Sequence, residues 1–273
     1  MLRDLAISAG GPAQIASRTG SREALPLTFP AYIQLGPVVL HPHVVFETLA
    51  YSTGYYLYRR ARRSGDVIDD PARRWILGAA ILGGLIGSHL LAAFEDPSGL
   101  KNAWPQLGLE FGGKTIVGGL IGALLTVEWA KRVLGITVAT GDLLAVPLCV
   151  GVAIGRIGCF LSGLEDQSYG IATGLPWGID IGDGIKRHPT QLYEMLFLAG
   201  LGGMLVLRTG LQATIGDRFK GFMVGYIGLR VLVDFIKPAV RFGGLSAIQW
   251  ACLAVLAYYA PHVPRLIAEV RRG

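Results

Sequence analysis

The stretch Gly155-Arg156-Ile157-Gly158-Cys159-Phe160-Leu161-Ser162-Gly163 sets an arginine and a thiol at the end of an apolar run that opens after Asp142. No charge interrupts Leu143 to Gly155, and with its flanks the run is long enough to cross a hydrocarbon layer of about 30 Å. A guanidinium stays protonated and is costly in hydrocarbon, so Arg156 demands a partner or a water-filled cavity. Gly151, Gly155, Gly158 and Gly163 allow neighbouring backbone or a ligand to come close. The segment therefore reads as a membrane helix carrying an anion site. The alternative is an arginine at a helix end, snorkelling to the interface or paired for packing.

Comparable runs recur at roughly 38–58, 75–94, 115–134, 190–208, 220–237 and 247–267, so the expected fold is an all-α integral membrane protein with about seven transmembrane helices. Runs one, three and six contain polar residues. The whole sequence, 52% hydrophobic and 16% charged, is too apolar for an ordinary soluble domain, where about a quarter of residues are charged. Residues 1–36 read as a tail or surface helix without the apolar core of a signal peptide, and 37–273 as one membrane domain. Lys and Arg are concentrated after spans one, three, five and seven, the 59–74 stretch foremost, which puts the C-terminus inside and the N-terminus outside. The net charge of +6 is spread over short loops and suits anionic membrane lipid, not nucleic acid. The small extracytoplasmic region is chiefly the 163–189 loop, which holds Leu175-Pro176-Trp177-Gly178 and reads as a lid over the site or a passive connector.

Arg230 is the second arginine within a span; Tyr226 lies four residues before it and Asp234 four after, all on one helix face. A local Arg230–Asp234 pair is the bland reading. Two arginines near the outer ends of different helices make a better clamp for a phosphodiester than one. His188-Pro189-Thr190-Gln191-Leu192-Tyr193-Glu194 opens span five, where Thr190 suits a cap and Glu194 sits in the favourable field of the helix N-terminus. His188 and Glu194 are also candidate proton carriers. His41, His43 and Glu47 form a conceivable metal trio, but hydrogen-bonded packing or substrate contact suits them better, and no metal or other cofactor is expected. Cys159, one turn after Arg156, is either a thiol whose thiolate form the cation favours or a small buried hydrophobe. Glu165 and Asp166 are candidate bases or solvated loop charges. Cys149, Cys159 and Cys252 contain no CxxC pair, which argues against a disulfide framework or a zinc site.

Together, the arginine motif, Tyr169-Gly170, Leu175-Pro176-Trp177-Gly178, Arg187 to Glu194, Gly118-Gly119-Leu120-Ile121-Gly122 and Tyr226…Arg230…Asp234 resemble the prolipoprotein diacylglyceryl transferase family, in the same order, from about residue 35 to 240. The resemblance implies a multi-pass enzyme of the bacterial inner membrane. Such an enzyme moves the diacylglyceryl group of phosphatidylglycerol to the lipobox cysteine in a prolipoprotein signal peptide, releasing glycerol 1-phosphate. It implies that Arg156 and Arg230 hold the phosphate, with His188, Glu165 and Tyr226 as further catalytic candidates. It places His41, His43, Gly118, Gly119, Cys159, Ser162, Gly170, Tyr193, Glu194 and Asp234 around the substrates. Three positions depart from the family. Val117 stands where a histidine is usual, Cys159 where an asparagine is, and His43 aligns with a tyrosine. The base, and with it the acceptor, is left open. The competing readings are a paralogue with another acceptor and a lipid-binding protein that has lost catalysis.

Overall fold

The computed structural model describes residues 29–95, 113–207 and 214–272. Residues 1–28 of the expected tail lie outside the described residues. A short hairpin of β1 (Ile33–Leu35) and β2 (Val38–Leu40) leads into α1 (Pro42–Arg63) and α2 (Asp70–Glu95). Then come α3 (Ile116–Val133), α4 (Asp142–Leu161), a two-residue strand pair of β3 (Ile179–Asp180) and β4 (Lys186–Arg187), and α5 (Thr190–Leu207). The chain ends in α6 (Asp217–Val233), α7 (Ala247–Tyr259) and α8 (Val263–Arg272).

Local chemistry fixes the helix ends. His41 caps α1 by accepting the His43 N–H on Nδ1, with Pro42 in the first turn, where its absent N–H costs nothing. Thr115 caps α3 on the Gly118 N–H, and Ser246 with Gln249 forms a capping box on α7. At the end of α4, Gly163 takes a left-handed φ of 60°, and a Cβ there would lie 2.7 Å from that of Phe29.

Among the described residues, four segments are long and apolar enough to cross a membrane: α2, α4, α5 and Ala247–Arg271, the last joining α7 to α8. On α2, Ile81, Leu82, Leu85, Ile86, Leu90 and Phe94 are each 56–73% exposed, a band that water would not tolerate and lipid covers. The chain is a membrane protein of mostly helical structure. The first, third and sixth expected spans correspond to α1, α3 and α6, which are more polar. Helix α1 is rich in Tyr, Ser, Thr and Arg, α3 ends with Glu128, Lys131 and Arg132, and α6 is 17 residues long. The expected span 220–237 also breaks early, because α6 stops at Val233 and a 3-10 turn, Asp234–Ile236, follows.

Helices α2 and α3 meet backbone to backbone. A Cβ on Gly87 would lie 2.3 Å from the Gly118 carbonyl oxygen, and one on Gly122 would lie 2.0 Å from that of Gly83. Thr126 tightens the seam by donating to the Ala79 carbonyl at 2.7 Å. The core lies among α4, α5, α6 and α7, with Cys149, Leu198, Leu201, Phe222, Met223, Tyr226 and Cys252 buried together. At the end of the bundle away from Arg156, Asp142 of α4 accepts the Gly216 and Phe219 N–H groups at the start of α6. The 163–189 loop is pinned rather than loose. Ile171 donates to Ile236 at 2.8 Å, and Thr190 Oγ1 to the Ser168 carbonyl at 2.7 Å.

Substituting Gly87→Val forces the seam apart. The expected cost is about 1–3 kcal/mol or more, read as a lower thermal midpoint of the detergent-solubilised protein. Gly78→Ala on the same helix, where nothing lies within 4 Å of the added Cβ, is expected to leave the midpoint unchanged.

Candidate active site

Helices α4, α5 and α6 each place one charged side chain at a common point. Glu194 of α5 is fully buried. It accepts from Arg156 Nε of α4 at 2.9 Å, Arg230 Nη1 of α6 at 2.6 Å, Lys237 Nζ at 3.3 Å and Tyr226 OH at 3.3 Å. Arg156 Nη2 reaches the same carboxylate at 2.9 Å. Arg230 also approaches Asp234 at 3.6 Å, and Asp234 is held by the Ser246 hydroxyl. The three cations share Glu194 and Asp234, and Asp166 also lies close to Arg156. Arg230 Nε is buried with no partner.

The two arginines converge, but on a shared carboxylate contributed by α5. Glu194, read partly as a helix-dipole residue, is their counter-ion. The expected Arg230–Asp234 pair is present as the longer of two contacts. Lys237, the last residue of the expected span 220–237, is buried in the cluster three residues after Asp234.

On the other side of Arg156 a second group forms. Arg156 Nη1 donates to Cys159 Sγ at 3.7 Å, and His43 Nδ1 lies 4.0 Å from that sulfur and 3.3 Å from Asp166 Oδ1. Burial works to raise the Asp166 carboxyl, but hydrogen bonds from His43 and Ser168, with Arg156 nearby, hold it below the usual carboxylate range. Glu165 points the opposite way, to His41 Nε2 at 2.9 Å near the surface. A single 3-10 turn, Gly163–Asp166, thus sends its two acids to different histidines.

The remaining predicted residues fall elsewhere. His188 Nδ1 meets the Tyr193 hydroxyl at 3.3 Å, which in turn accepts from Trp177 Nε1 at 2.9 Å. Among the described residues no hydrogen bond or ion pair joins His188 to Arg156, Arg230 or Glu194. Gly118 and Gly119 face α2, and Ser162 Oγ closes the end of α4 on the Gly158 carbonyl at 2.7 Å. Gly170 threads between His188 and Ile236, where a Cβ would lie 2.5 Å from that of His188.

A family model described as prolipoprotein diacylglyceryl transferase matches residues 30–261. The chain belongs to the prolipoprotein diacylglyceryl transferase family. Curated relatives named phosphatidylglycerol–prolipoprotein diacylglyceryl transferase agree. The protein of Glaesserella parasuis is 31% identical over 230 residues, 77% of this chain and 82% of its own. That of Methylococcus capsulatus is 31% identical over 261 residues, 85% and 94%, and that of Bordetella bronchiseptica 29% over 250 residues, 83% and 91%. Against this family background, two of the three departures, His43 and Cys159, meet at one point beside Arg156. The third, Val117, is buried in the core cluster.

Replacing Glu194→Gln leaves three buried cations without their shared anion. A stability loss of about 3–5 kcal/mol is expected, by analogy with the breaking of buried ion pairs. Thermal denaturation in detergent measures it, and an unchanged midpoint would contradict the shared counter-ion.

Proposed function

We propose that this protein transfers the diacylglyceryl group of phosphatidylglycerol to the lipobox cysteine thiol of prolipoproteins, releasing glycerol 1-phosphate. The observation that carries the reading is the convergence of Arg156 and Arg230 from two helices, with Arg230 Nε buried and without a hydrogen-bond partner among the described residues. A phosphodiester is an anion with planar pairs of acceptor oxygens, which the guanidinium fork matches. As the bond from glycerol carbon to phosphate oxygen breaks, charge grows on the leaving phosphate. Preorganised cations stabilise that charge more than the ground state. Tyr226 and Lys237 hold the Glu194 carboxylate so that the arginines stay aimed. Cys159, His43 and Asp166 flank Arg156 and mark where the acceptor thiol approaches. Thiolate is the nucleophile, so this side must take a proton from it. Glu165 and His41 form an outer rim, and Trp177, Tyr193 and His188 tie the 163–189 loop to the first turn of α5, where a signal peptide would pass.

The membrane arrangement belongs to the same reading: seven spans in a bacterial inner membrane, N-terminus out and C-terminus in, with 37–273 as the catalytic domain. It is supported by Trp75 and Trp129, both exposed at the adjoining ends of α2 and α3, beside the arginine-rich end of α1. A second reading keeps the lipid donor and changes the acceptor. It is favoured by His43 and Cys159, which alter the groups on the acceptor side.

Purified protein incubated with labelled phosphatidylglycerol and a lipobox peptide is expected to yield peptide heavier by one diacylglyceryl group in mass spectrometry. Headgroup release without peptide modification would move the assignment to the second reading. The Arg156→Ala variant is expected to lose turnover by about 100-fold or more, the scale of removing one preorganised donor. Wild-type rates in that variant would remove the arginine from the reaction.

A further inference from the structure

His43 Nδ1, Cys159 Sγ and Asp166 Oδ1 come from α1, α4 and the turn after α4, and all three atoms lie within 4.8 Å of one another. The geometry points to a binding site for one zinc-class divalent ion on these three residues, with an open fourth position for the acceptor thiol. The role of the open position rests on the proposed function; the metal site itself does not.

The spacing is close to what a tetrahedral ion needs. With bonds of about 2.0–2.1 Å to nitrogen and oxygen and about 2.3 Å to sulfur, nitrogen and oxygen sit about 3.4 Å apart, and nitrogen and sulfur about 3.6 Å apart. The observed separations are 3.3 Å and 4.0 Å, so imidazole and carboxylate are already placed and the sulfur closes by a small side-chain shift. Two of the ligands have hydrogen-bonding outer partners of the kind that orients metal ligands, and His43 Nε2 faces Glu47 Oε2 at 3.8 Å, within ion-pair reach. Ser168 donates to Asp166 Oδ2, leaving Oδ1 for the ion, and Arg156 Nη1 faces the sulfur. A thiolate and a carboxylate neutralise a dication, so the loaded site does not repel Arg156. Sulfur with imidazole selects zinc over magnesium or calcium. Sequence spacing concealed the site, because His43 and Cys159 are 116 residues apart and no CxxC exists.

A metal held by His43, Cys159 and Asp166 would take the place of a base for the acceptor thiol. The lipobox thiol binds the fourth position and its proton passes to solvent, as metal binding to thiols requires. The sulfur then attacks the glycerol carbon. A C–S bond forms, the C–O bond to phosphate breaks, and the electron pair leaves on the phosphate oxygen, beside the donors of Arg156 and Arg230 that Glu194 does not occupy.

The test uses the full chain in detergent, stripped of metal and titrated with Co2+ in place of Zn2+. One equivalent is expected to bind with a thiolate-to-cobalt charge-transfer band. Cys159→Ser should abolish the band, and Asp166→Asn should weaken affinity at least about 100-fold, beyond the range for outer partners. No stoichiometric binding, or an undiminished band in Cys159→Ser, overturns the site. The wild-type stoichiometry decides this even if a variant fails to fold. Adding lipobox peptide should strengthen the band, whereas its Cys→Ser counterpart should not; identical responses overturn the open position. Metal bound without lipid transfer would sink the proposed function and leave the site standing. Full transfer by protein held metal-free with chelator would do the reverse.

Discussion

One buried carboxylate holds three helical elements in register. Glu194 takes the charges of Arg156, Arg230 and Lys237, and none of these four residues is more than 9% exposed. Such a cluster is weak support for stability, since the desolvation of four ions rivals their attraction and apolar residues of similar volume often do as well. What it provides is position. Arg156 and Arg230 arrive from different helices and would repel each other without the anion between them. With it, they stand side by side and keep unused donors. The fold around α4, α5 and α6 is the scaffold of that arrangement, which is why Gly202 admits Cys149 closely and Asp142 binds α6 to α4 at the far end.

Much of this was visible in the amino-acid order. A guanidinium in an apolar run has few tolerable fates, so Arg156 and Arg230 declared themselves, and helical spacing put Tyr226 and Asp234 beside the second. What spacing cannot express is contact across helices. Glu194 has a plausible local role at the start of α5, and nothing nearby in sequence shows that its partners lie 38 and 36 residues away. Lys237 follows a helix that breaks sooner than its hydropathy suggests, and its charge is buried in the cluster. His188, which precedes a helix, meets the Tyr193 hydroxyl, and that hydroxyl also accepts from Trp177. Glu165 and Asp166 are adjacent and alike on paper, and only the handedness of a short turn separates an outer acid from an inner one.

Arg156 joins the two halves of the site. Its Nε and Nη2 face the carboxylate of α5, while Nη1 faces the sulfur one turn along its own helix. One guanidinium thus touches both the buried carboxylate and the thiol.

The seam between α2 and α3 bears on how a lipid reaches the interior. Carbonyl oxygens and glycine α-carbons touch there with no side chains between them, and a threonine stitches the two backbones together. Side-chain rotation has little to move in such a joint, so it offers an acyl chain from the bilayer no swinging gate.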